Sequence, residues 1–283
     1  MYPTLNKVYK GQFPFRLGTT SFIYPDSYAA NVKTLGPYLD EIELLFFESG
    51  PTDSFSGNRQ IRELADLAAE YDLSYNVHLP LDISPGDSDA ALRRQAVSTV
   101  TRVMELTAPL DPTTCTLHLP YTSESTAGDD IKIWRDHIYE SLVRVFDSGI
   151  DPRSISVETL NYPISRVADI IETLNLSVCL DTGHMLIYDF DLDEIYRRFQ
   201  DRITIIHLHG VDAGRDHLSL DRLTKRDWES IIPILNDFTE SVSLEVFSYE
   251  HLSKSLAHLE KILSPYYRNG NKRTPHYGVV DPE

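Results

Sequence analysis

SISVETLNYPISRVADIIETLNLSVCLD, residues 154–181, contains two short apolar runs separated by one amphipathic segment. The runs SISVET (154–159) and LSVCLD (176–181) are rich in β-branched and apolar residues, which is typical of buried strands. Between them, ISRVADIIETL (164–174) has the apolar spacing of a helix. A strand, a helix and a second strand in this order predict one parallel βαβ unit.

The same alternation continues in both directions from this segment. Helical spacing is clearest in RQIRELADLAAEYDL (59–73), and it recurs in SDAALRRQAVSTVTRVMEL (88–106), for which Asp87 or Ser88 is a plausible N-cap. No G-x-G-x-x-G follows the first strand, which disfavours the open doubly wound sheet that is the alternative fold. The strand segments are 15–22, 41–47, 73–79, 113–119, 154–159, 176–181, 203–209 and 241–247.

Eight such units in about 250 residues predict an α/β protein with a single (β/α)₈ TIM barrel. We expect residues 1–265 to form this catalytic domain. The polar, turn-rich residues 266–283 are expected to form an irregular C-terminal tail. The active site of such a barrel lies at the C-terminal ends of its strands.

The net charge of the chain limits the classes of molecule that it is expected to bind. The 283 residues carry a net charge of −17, which disfavours attraction to nucleic acids or anionic lipids, although a metal cluster could still create a locally positive cleft. We therefore expect a small-molecule substrate, no membrane contact and a cytoplasmic location, and the oligomeric state stays open. The two cysteines, Cys115 and Cys179, lie in apolar runs and are expected to be buried thiols.

Six consecutive strand segments end in residue types that bind metals. A charge at the end of an apolar run is costly to bury, and a cation bound by carboxylates and neutral imidazoles would compensate this cost. Such a set is typical of Zn²⁺, Mn²⁺ or a similar ion. The residues are His78, His118, Glu158, Asp181, His207 with His209, and Glu245.

Two loops add candidates. Asp181-Thr-Gly-His184 could present a carboxylate and an imidazole to one ion, or Asp181 could simply cap a helix. In HLHGVDAGRDHLSL (207–220), Gly210 and Gly214 would let a loop with Asp212, Asp216 and His217 fold over the mouth, and solvated charge is the simpler alternative.

These residues resemble those of the xylose-isomerase-like TIM-barrel superfamily, which contains sugar isomerases, epimerases and the apurinic endonuclease family. The superfamily's metal set of Glu, Asp, His and Glu on strands five to eight is matched by Glu158, Asp181, His207 and Glu245. The endonuclease branch adds ligands for a multi-metal cluster, matched here by His78, His118, His184 and His217, which favours hydrolysis.

One position departs from the endonuclease pattern. That pattern has an aspartate two residues before its loop histidine, whereas here Asp216 directly precedes His217 and Arg215 occupies the expected place. Whether Asp216 is a ligand, and therefore how many ions bind, stays open. We expect one to three divalent ions, Zn²⁺ or Mn²⁺.

A narrower resemblance is to bacterial cobamide-remodelling phosphodiesterases. It rests on FRLGTTSFIYP (15–25), IELLFFES (42–49), YNVHLPLDI (75–83) and the segment HLHGV…GRDHLSL within 207–220. This resemblance implies hydrolysis of the phosphoribosyl linkage in the nucleotide loop of a cobamide. The products would be cobinamide phosphate and the lower-ligand riboside.

In this interpretation Glu158 and Glu245 are the catalytic residues, either of which could accept the proton of the attacking water, while Asp181 and His207 hold an ion. His78, His118 and His184 would complete the shell of a second ion. His209 and His217 are candidates for phosphate contact or further ligation. Glu48 is a candidate for the mouth of the site or for orienting a ligand histidine, and a surface carboxylate is the favoured alternative there.

The main alternative is a sugar or sugar-phosphate isomerase or epimerase, with Glu158 and Glu245 on either side of one ion. A non-catalytic corrinoid-binding module and an abasic-site endonuclease are weaker alternatives. A set of aromatic residues near strand ends could floor a pocket for a large flat ligand or could pack the barrel. These are Phe22, Tyr24, Phe46, Phe47, Tyr121, Tyr162 and Phe247.

Overall fold

Eight parallel strands close into one barrel in the computed structural model, which describes residues 2–49, 57–123 and 125–267. Each strand lies beside the next barrel strand along the chain, and the last pairs with the first. The barrel strands are β1 (Arg16–Thr20), β2 (Glu41–Leu45), β3 (Ser74–His78), β4 (Cys115–Leu117), β5 (Ile155–Glu158), β6 (Ser177–Asp181), β7 (Ile203–Leu208) and β10 (Ser241–Leu244). This confirms the predicted (β/α)₈ barrel, and each predicted strand segment contains one of these strands.

Helices alternate with the strands. Helix α3 begins after Asp89, whose side chain accepts a hydrogen bond from the Ala91 backbone N–H, so the expected N-cap at Asp87 or Ser88 was wrong. The helices are α1 (Tyr28–Leu35), α2 (Asn58–Tyr71), α3 (Ala90–Thr107), α4 (Gly128–Phe146), α5 (Ala168–Thr173), α6 (Thr182–Ile187), α7 (Leu192–Phe199), α8 (Lys225–Asp237) and α9 (Tyr249–Tyr267).

The strands are buried on both faces, as the helical cover of a parallel barrel requires. Residues such as Ile42 and Val178 pack in the same hydrophobic core as Leu64 and Leu67 of α2. Two further buried residues are Cys115 and Cys179, which are both free thiols, as the sequence predicts. Burial raises the pKa of the Cys115 thiol to about 12, so this group is not a nucleophile near neutral pH.

Polar groups fill the interior of the barrel near the start of its strands. Glu41 is buried there, and its Oε1 accepts hydrogen bonds from the Ser74 and Thr113 hydroxyls at 2.8 Å each. Its Oε2 accepts another from the Asn76 amide at 2.9 Å. Because its oxygens have donors, this carboxylate is stabilised without a bound ion.

Residues 207–220 contain a hairpin rather than a plain loop. Strands β8 (Gly210–Asp212) and β9 (Arg215–Leu218) pair antiparallel. Ala213 and Gly214 join them with positive φ angles of 50° and 75°, the signature of a type I′ turn. Gly210 has a different role from the one expected, because a Cβ there would lie 2.0 Å from the Ser219 carbonyl oxygen.

The C-terminal boundary is described only in part. Residues 266 and 267 of the predicted tail belong to helix α9, and residues 268–283 lie outside the described residues. Among the helices of the described ranges, none has the length and apolar character that a membrane span needs.

The close approach at Gly210 generates a prediction about stability. We expect Gly210→Ala to lower the free energy of unfolding by about 1–3 kcal/mol, because backbone atoms must move to admit the methyl group. Urea unfolding followed by circular dichroism measures the change.

Gly128→Ala is the control, because no atom lies within 4 Å of a Cβ at Gly128, in the first turn of α4. This variant should be neutral or slightly stabilising. Equal stability of the two variants would contradict the assignment of the Gly210 contact.

Candidate metal centre

Most of the predicted site residues converge at the C-terminal ends of the barrel strands. Four groups each have one possible ligand atom per residue, all within 4.8 Å of one another. This spacing is close to the maximum of about 4.2 Å between two ligands that bind one ion at about 2.1 Å. The groups are His78–Glu158–His207, Glu158–Asp181–His207–Glu245, His184–Asp216–His217 and His209–His217–Glu245.

Glu158 lies at the centre of the cluster. Its Oε2 is 2.9 Å from His118 Nε2, 3.2 Å from His78 Nε2 and 3.5 Å from His207 Nδ1. Burial raises the pKa of this carboxyl, but the charges of His118 and His207 and the hydrogen bonds from His118 and His78 together hold the pKa well below its usual value. Glu158 is therefore ionised and shared between neighbouring groups of ligands.

Asp181 caps a helix, as one of the two alternatives predicts, and it also lies in a group of possible metal ligands, where its ligation stays a prediction. Its Oδ1 caps α6 by accepting the His184 backbone N–H at 2.7 Å, and the same oxygen lies 3.2 Å from His209 Nε2. Burial raises the pKa of Asp181, but His209 and His184 lower it further than burial raises it. Gly183 permits this packing, since a Cβ there would meet the His209 ring at 2.0 Å.

In three cluster histidines, Nδ1 lies within hydrogen-bond distance of a backbone carbonyl oxygen. A carbonyl oxygen can only accept, so Nδ1 carries the hydrogen in each of these rings. In the neutral ring this leaves the Nε2 lone pair free for an ion. The contacts are His78 Nδ1 to Leu79 O at 2.9 Å, His184 Nδ1 to Thr159 O at 3.0 Å and His217 Nδ1 to Glu245 O at 3.1 Å.

His207 and Glu245 supply the observation that tests whether an ion fits. His207 Nδ1 lies 3.2 Å from Glu245 Oε2, and both atoms are buried. Neither atom has a hydrogen-bond partner of good geometry among the described residues. Burial raises the pKa of Glu245, but the charge and close contact of His207 and the charge of His217 together hold the pKa far below its usual value. Two buried polar atoms that approach each other without a well-formed hydrogen bond fit a shared cation.

The hairpin brings His217 and Asp216 to the mouth. His217 has a φ of 50°, a strained conformation for a residue with a side chain. Its Nε2 lies 3.9 Å from Asp216 Oδ2, and both residues are within ligand range of His184. Arg215, which takes the place of the expected aspartate, contacts Asp212 at 3.6 Å. Asp216 is thus placed where a ligand could be, and its ligation stays a prediction.

His209 has different surroundings from the other cluster histidines. Its Nε2 faces Asp181, and its Nδ1 accepts the His217 backbone N–H at 3.0 Å. With both nitrogens engaged, His209 holds Asp181 and the hairpin in place. Its predicted contact with a phosphate stays a prediction.

Glu48, which the sequence analysis names, and Glu43, which it does not, differ in their burial. Glu48 is exposed and belongs to none of the four ligand groups, so the structure gives its predicted role no support. Glu43 is fully buried, and its Oε1 lies 3.1 Å from His207 Nε2. The signal for Glu43 was the alternation in EIELLFF, which places Glu41 and Glu43 on one face of β2.

The aromatic residues near strand ends divide into two sets. Tyr24, Phe46 and Tyr162 are buried in the core, as the packing alternative predicts. Phe22 and Phe247 are each 38% exposed.

Phe47 links the two exposed rings, with ring centroids 4.4 Å from Phe22 and 6.3 Å from Phe247. We call Phe22, Phe47 and Phe247 the aromatic surface. It adjoins the candidate metal centre, because the Phe247 ring is 5.0 Å from that of His217.

A closed parallel barrel with carboxylates and imidazoles at its C-terminal rim defines a TIM barrel with a candidate metal centre. The chain belongs to the xylose isomerase-like TIM-barrel family, whose sequence profile matches residues 29–263. A comparison with curated protein sequences finds no match.

Solved structures share the fold at low sequence identity. A D-tagatose 3-epimerase-like protein has a TM-score of 0.70 and 19% identity, covering 88% of this chain and 97% of its own. D-psicose 3-epimerase from Clostridium cellulolyticum has a TM-score of 0.69 and 17% identity, covering 89% and 99%. Endonuclease IV from Thermus thermophilus has a TM-score of 0.70 and 16% identity, covering 88% and 99%. These similarities confirm the fold.

The cluster generates a prediction about metal binding. We expect Mn²⁺ or Zn²⁺ to raise the melting temperature of chelator-treated protein, since an ion that binds only the folded state stabilises it. Glu158→Gln should weaken binding by about tenfold or more, because it removes the charge shared by the histidines. Isothermal titration calorimetry measures both affinities.

Glu48→Gln is the matched control, since it makes the same substitution at an exposed position near the mouth. Its affinity should equal that of the wild type. A comparable loss in both variants would mean that the buried cluster is not the binding site.

Proposed function

We propose that this protein is a metal-dependent phosphodiesterase that hydrolyses the phosphoribosyl bond in the nucleotide loop of a cobamide. The observation that supports this proposal is that Glu158 belongs to two groups of possible metal ligands. His184, Asp216 and His217 form a third group. Ligands for more than one ion favour in-line displacement at phosphorus, in which the attacking and leaving oxygens both need stabilisation.

Bound divalent ions would lower the pKa of a water nucleophile and neutralise charge on the phosphoryl oxygens. His78, His118, Glu158, Asp181, His184, His207, Asp216, His217 and Glu245 are the residues proposed to hold them.

The two glutamates differ in how far their oxygens are engaged. Glu158 has contacts within 3.5 Å at both carboxylate oxygens. Glu245 is 5% exposed, and its Oε2 has no hydrogen-bond partner of good geometry among the described residues. We therefore propose that Glu158 bridges ions, and that Glu245 both holds an ion and accepts the proton of a water bound beside it.

The aromatic surface supports a substrate with a large apolar part. Phe22 and Phe247 keep more than a third of their surface exposed beside the candidate metal centre. Planar groups stack favourably on such rings, and a cobamide offers both a corrin ring and a lower-ligand base. The net charge of −17 disfavours the DNA backbone as an alternative phosphodiester.

The second candidate is a sugar or sugar-phosphate epimerase. The epimerases among the structural neighbours favour it more than they favour the phosphodiesterase. It is also supported by the approach of Glu158 and Glu245 to the same nitrogen, His207 Nδ1, at 3.5 and 3.2 Å. Two carboxylates beside one ion could exchange protons with a carbon next to a carbonyl.

Incubation of metal-loaded protein with a complete cobamide tests the first candidate. We expect cobinamide phosphate and the lower-ligand riboside by mass spectrometry, and we expect Glu245→Gln to lower kcat by about 10²- to 10⁴-fold. Parallel incubation with ketohexoses and ketohexose phosphates tests the second. Two or three ions per chain by elemental analysis would favour hydrolysis, and one ion with epimerised sugar would refute it.

Phe247→Ala tests the aromatic surface separately. It should raise KM for the cobamide more than it lowers kcat, because it removes binding area without removing a proposed ligand. Ile133→Ala, which truncates an exposed side chain on α4, is the control and should leave both constants unchanged. Unchanged KM in Phe247→Ala would exclude this surface as the substrate contact.

A further inference from the structure

We propose that Glu43 is a positioning residue that fixes the ring of His207, so that Nδ1 faces the candidate ions and Nε2 faces Glu43. The contact joins strands β2 and β7 through the interior of the barrel, with Glu43 Oε1 3.1 Å from His207 Nε2. Both side chains are fully buried.

Glu43 is also anchored through its second carboxylate oxygen. The Ser243 hydroxyl donates a hydrogen bond to Glu43 Oε2 at 2.6 Å. Oε1 has no hydrogen-bond partner of good geometry among the described residues, and neither does His207 Nε2. The contact of 3.1 Å between Glu43 Oε1 and His207 Nε2 is therefore an ion-pair contact that offsets part of the cost of burying both atoms.

His207 also differs from the histidines that donate to backbone carbonyls. His78, for example, presents Nε2 to Glu158 and Nδ1 to the Leu79 carbonyl oxygen, whereas His207 presents Nδ1 to Glu245 and Glu158. Its outer nitrogen meets a carboxylate instead of a neutral carbonyl oxygen. An anionic partner there makes the ring a stronger electron donor and holds the hydrogen on Nε2, leaving the Nδ1 lone pair for an ion.

Glu43 itself is not among the candidate metal ligands. It belongs to none of the groups of possible ligands in the described residues. Glu41, two residues earlier on the same face of β2, shows what a purely structural carboxylate looks like here. Its hydrogen bonds come from Ser74, Thr113 and Asn76, and they involve no histidine.

The experiment compares Glu43→Gln with Glu41→Gln in the full chain. Each substitution removes one buried charge from the same strand and keeps the side-chain volume. Calorimetric titration of chelator-treated protein with Mn²⁺ or Zn²⁺ gives the affinities, and the visible spectrum of the Co²⁺-loaded protein reports ligand geometry. Circular dichroism and melting of the metal-free proteins establish that each variant folds.

We expect Glu43→Gln to weaken ion binding by about 10- to 100-fold and to change the Co²⁺ spectrum, with Glu41→Gln unchanged in both. Wild-type affinity in Glu43→Gln, an equal loss in Glu41→Gln, or no ion binding by the wild type would each overturn the proposal. Since no substrate is used, failure here leaves the phosphodiesterase and epimerase proposals to their own tests.

Two further variants decide the matter if Glu43→Gln does not fold. Ser243→Ala removes the anchoring hydrogen bond but keeps the charge of Glu43, and we expect a smaller loss of affinity. Glu43→Asp keeps the charge but shortens its reach, and we expect a loss larger than that of Ser243→Ala. Wild-type affinity in both variants would overturn the positioning role.

Discussion

The interaction on which the centre depends is the approach of four buried carboxylates to one imidazole. His207 lies within 4.0 Å of Glu43, Glu158, Asp181 and Glu245. Like charges this close in a barrel interior repel strongly, and burial removes the water that would screen them. Imidazoles around the group lower the pKa values of the three carboxyls at the rim, which keeps them ionised and able to hold a cation. The imidazoles therefore offset part of the negative charge of these carboxylates, and a divalent ion would balance the rest.

The barrel supplies the rigidity that this balance needs. Every second residue of a strand faces the interior, so each strand can add polar side chains without disturbing its apolar outer face. Strand β2 shows this directly, because Glu41 and Glu43 face inward while Ile42 and Leu44 are part of the hydrophobic core. Polar residues at the base of the barrel have hydroxyl and amide donors, and those at the rim meet histidines. On β2, the structural carboxylate of Glu41 has hydroxyl and amide partners, whereas the carboxylate of Glu43 faces His207 of the candidate centre.

The sequence was sufficient for the barrel and for the residues at strand ends, because both follow from local patterns. Apolar runs predict strands, and the last residue of a parallel strand lies at a known edge. Helix α1 was missed because its pattern is weak, with Asn31 buried on its core face. Helix α6 spans only Thr182–Ile187, and its sole signal was the possible N-cap Asp181. Glu43 was missed for a different reason. Which glutamate of β2 reaches His207 depends on a contact across the barrel to β7, and no local spacing encodes it.

The hairpin at 210–218 was also not predicted from the sequence, because its pairing is short and depends on two consecutive positive φ angles in its turn.

The sharing of Glu158 limits how such a centre can work. Because the same carboxylate belongs to the groups around His78 and around Asp181, an ion in one group changes the charge available to the other. Glu245 is shared in the same way, through its carboxylate toward His207 and its carbonyl toward His217. The hairpin that carries His217 is thus connected through Glu245 to the barrel ligands. A centre built from these shared residues would bind its ions as a coupled set, and the position of the hairpin would depend on that binding.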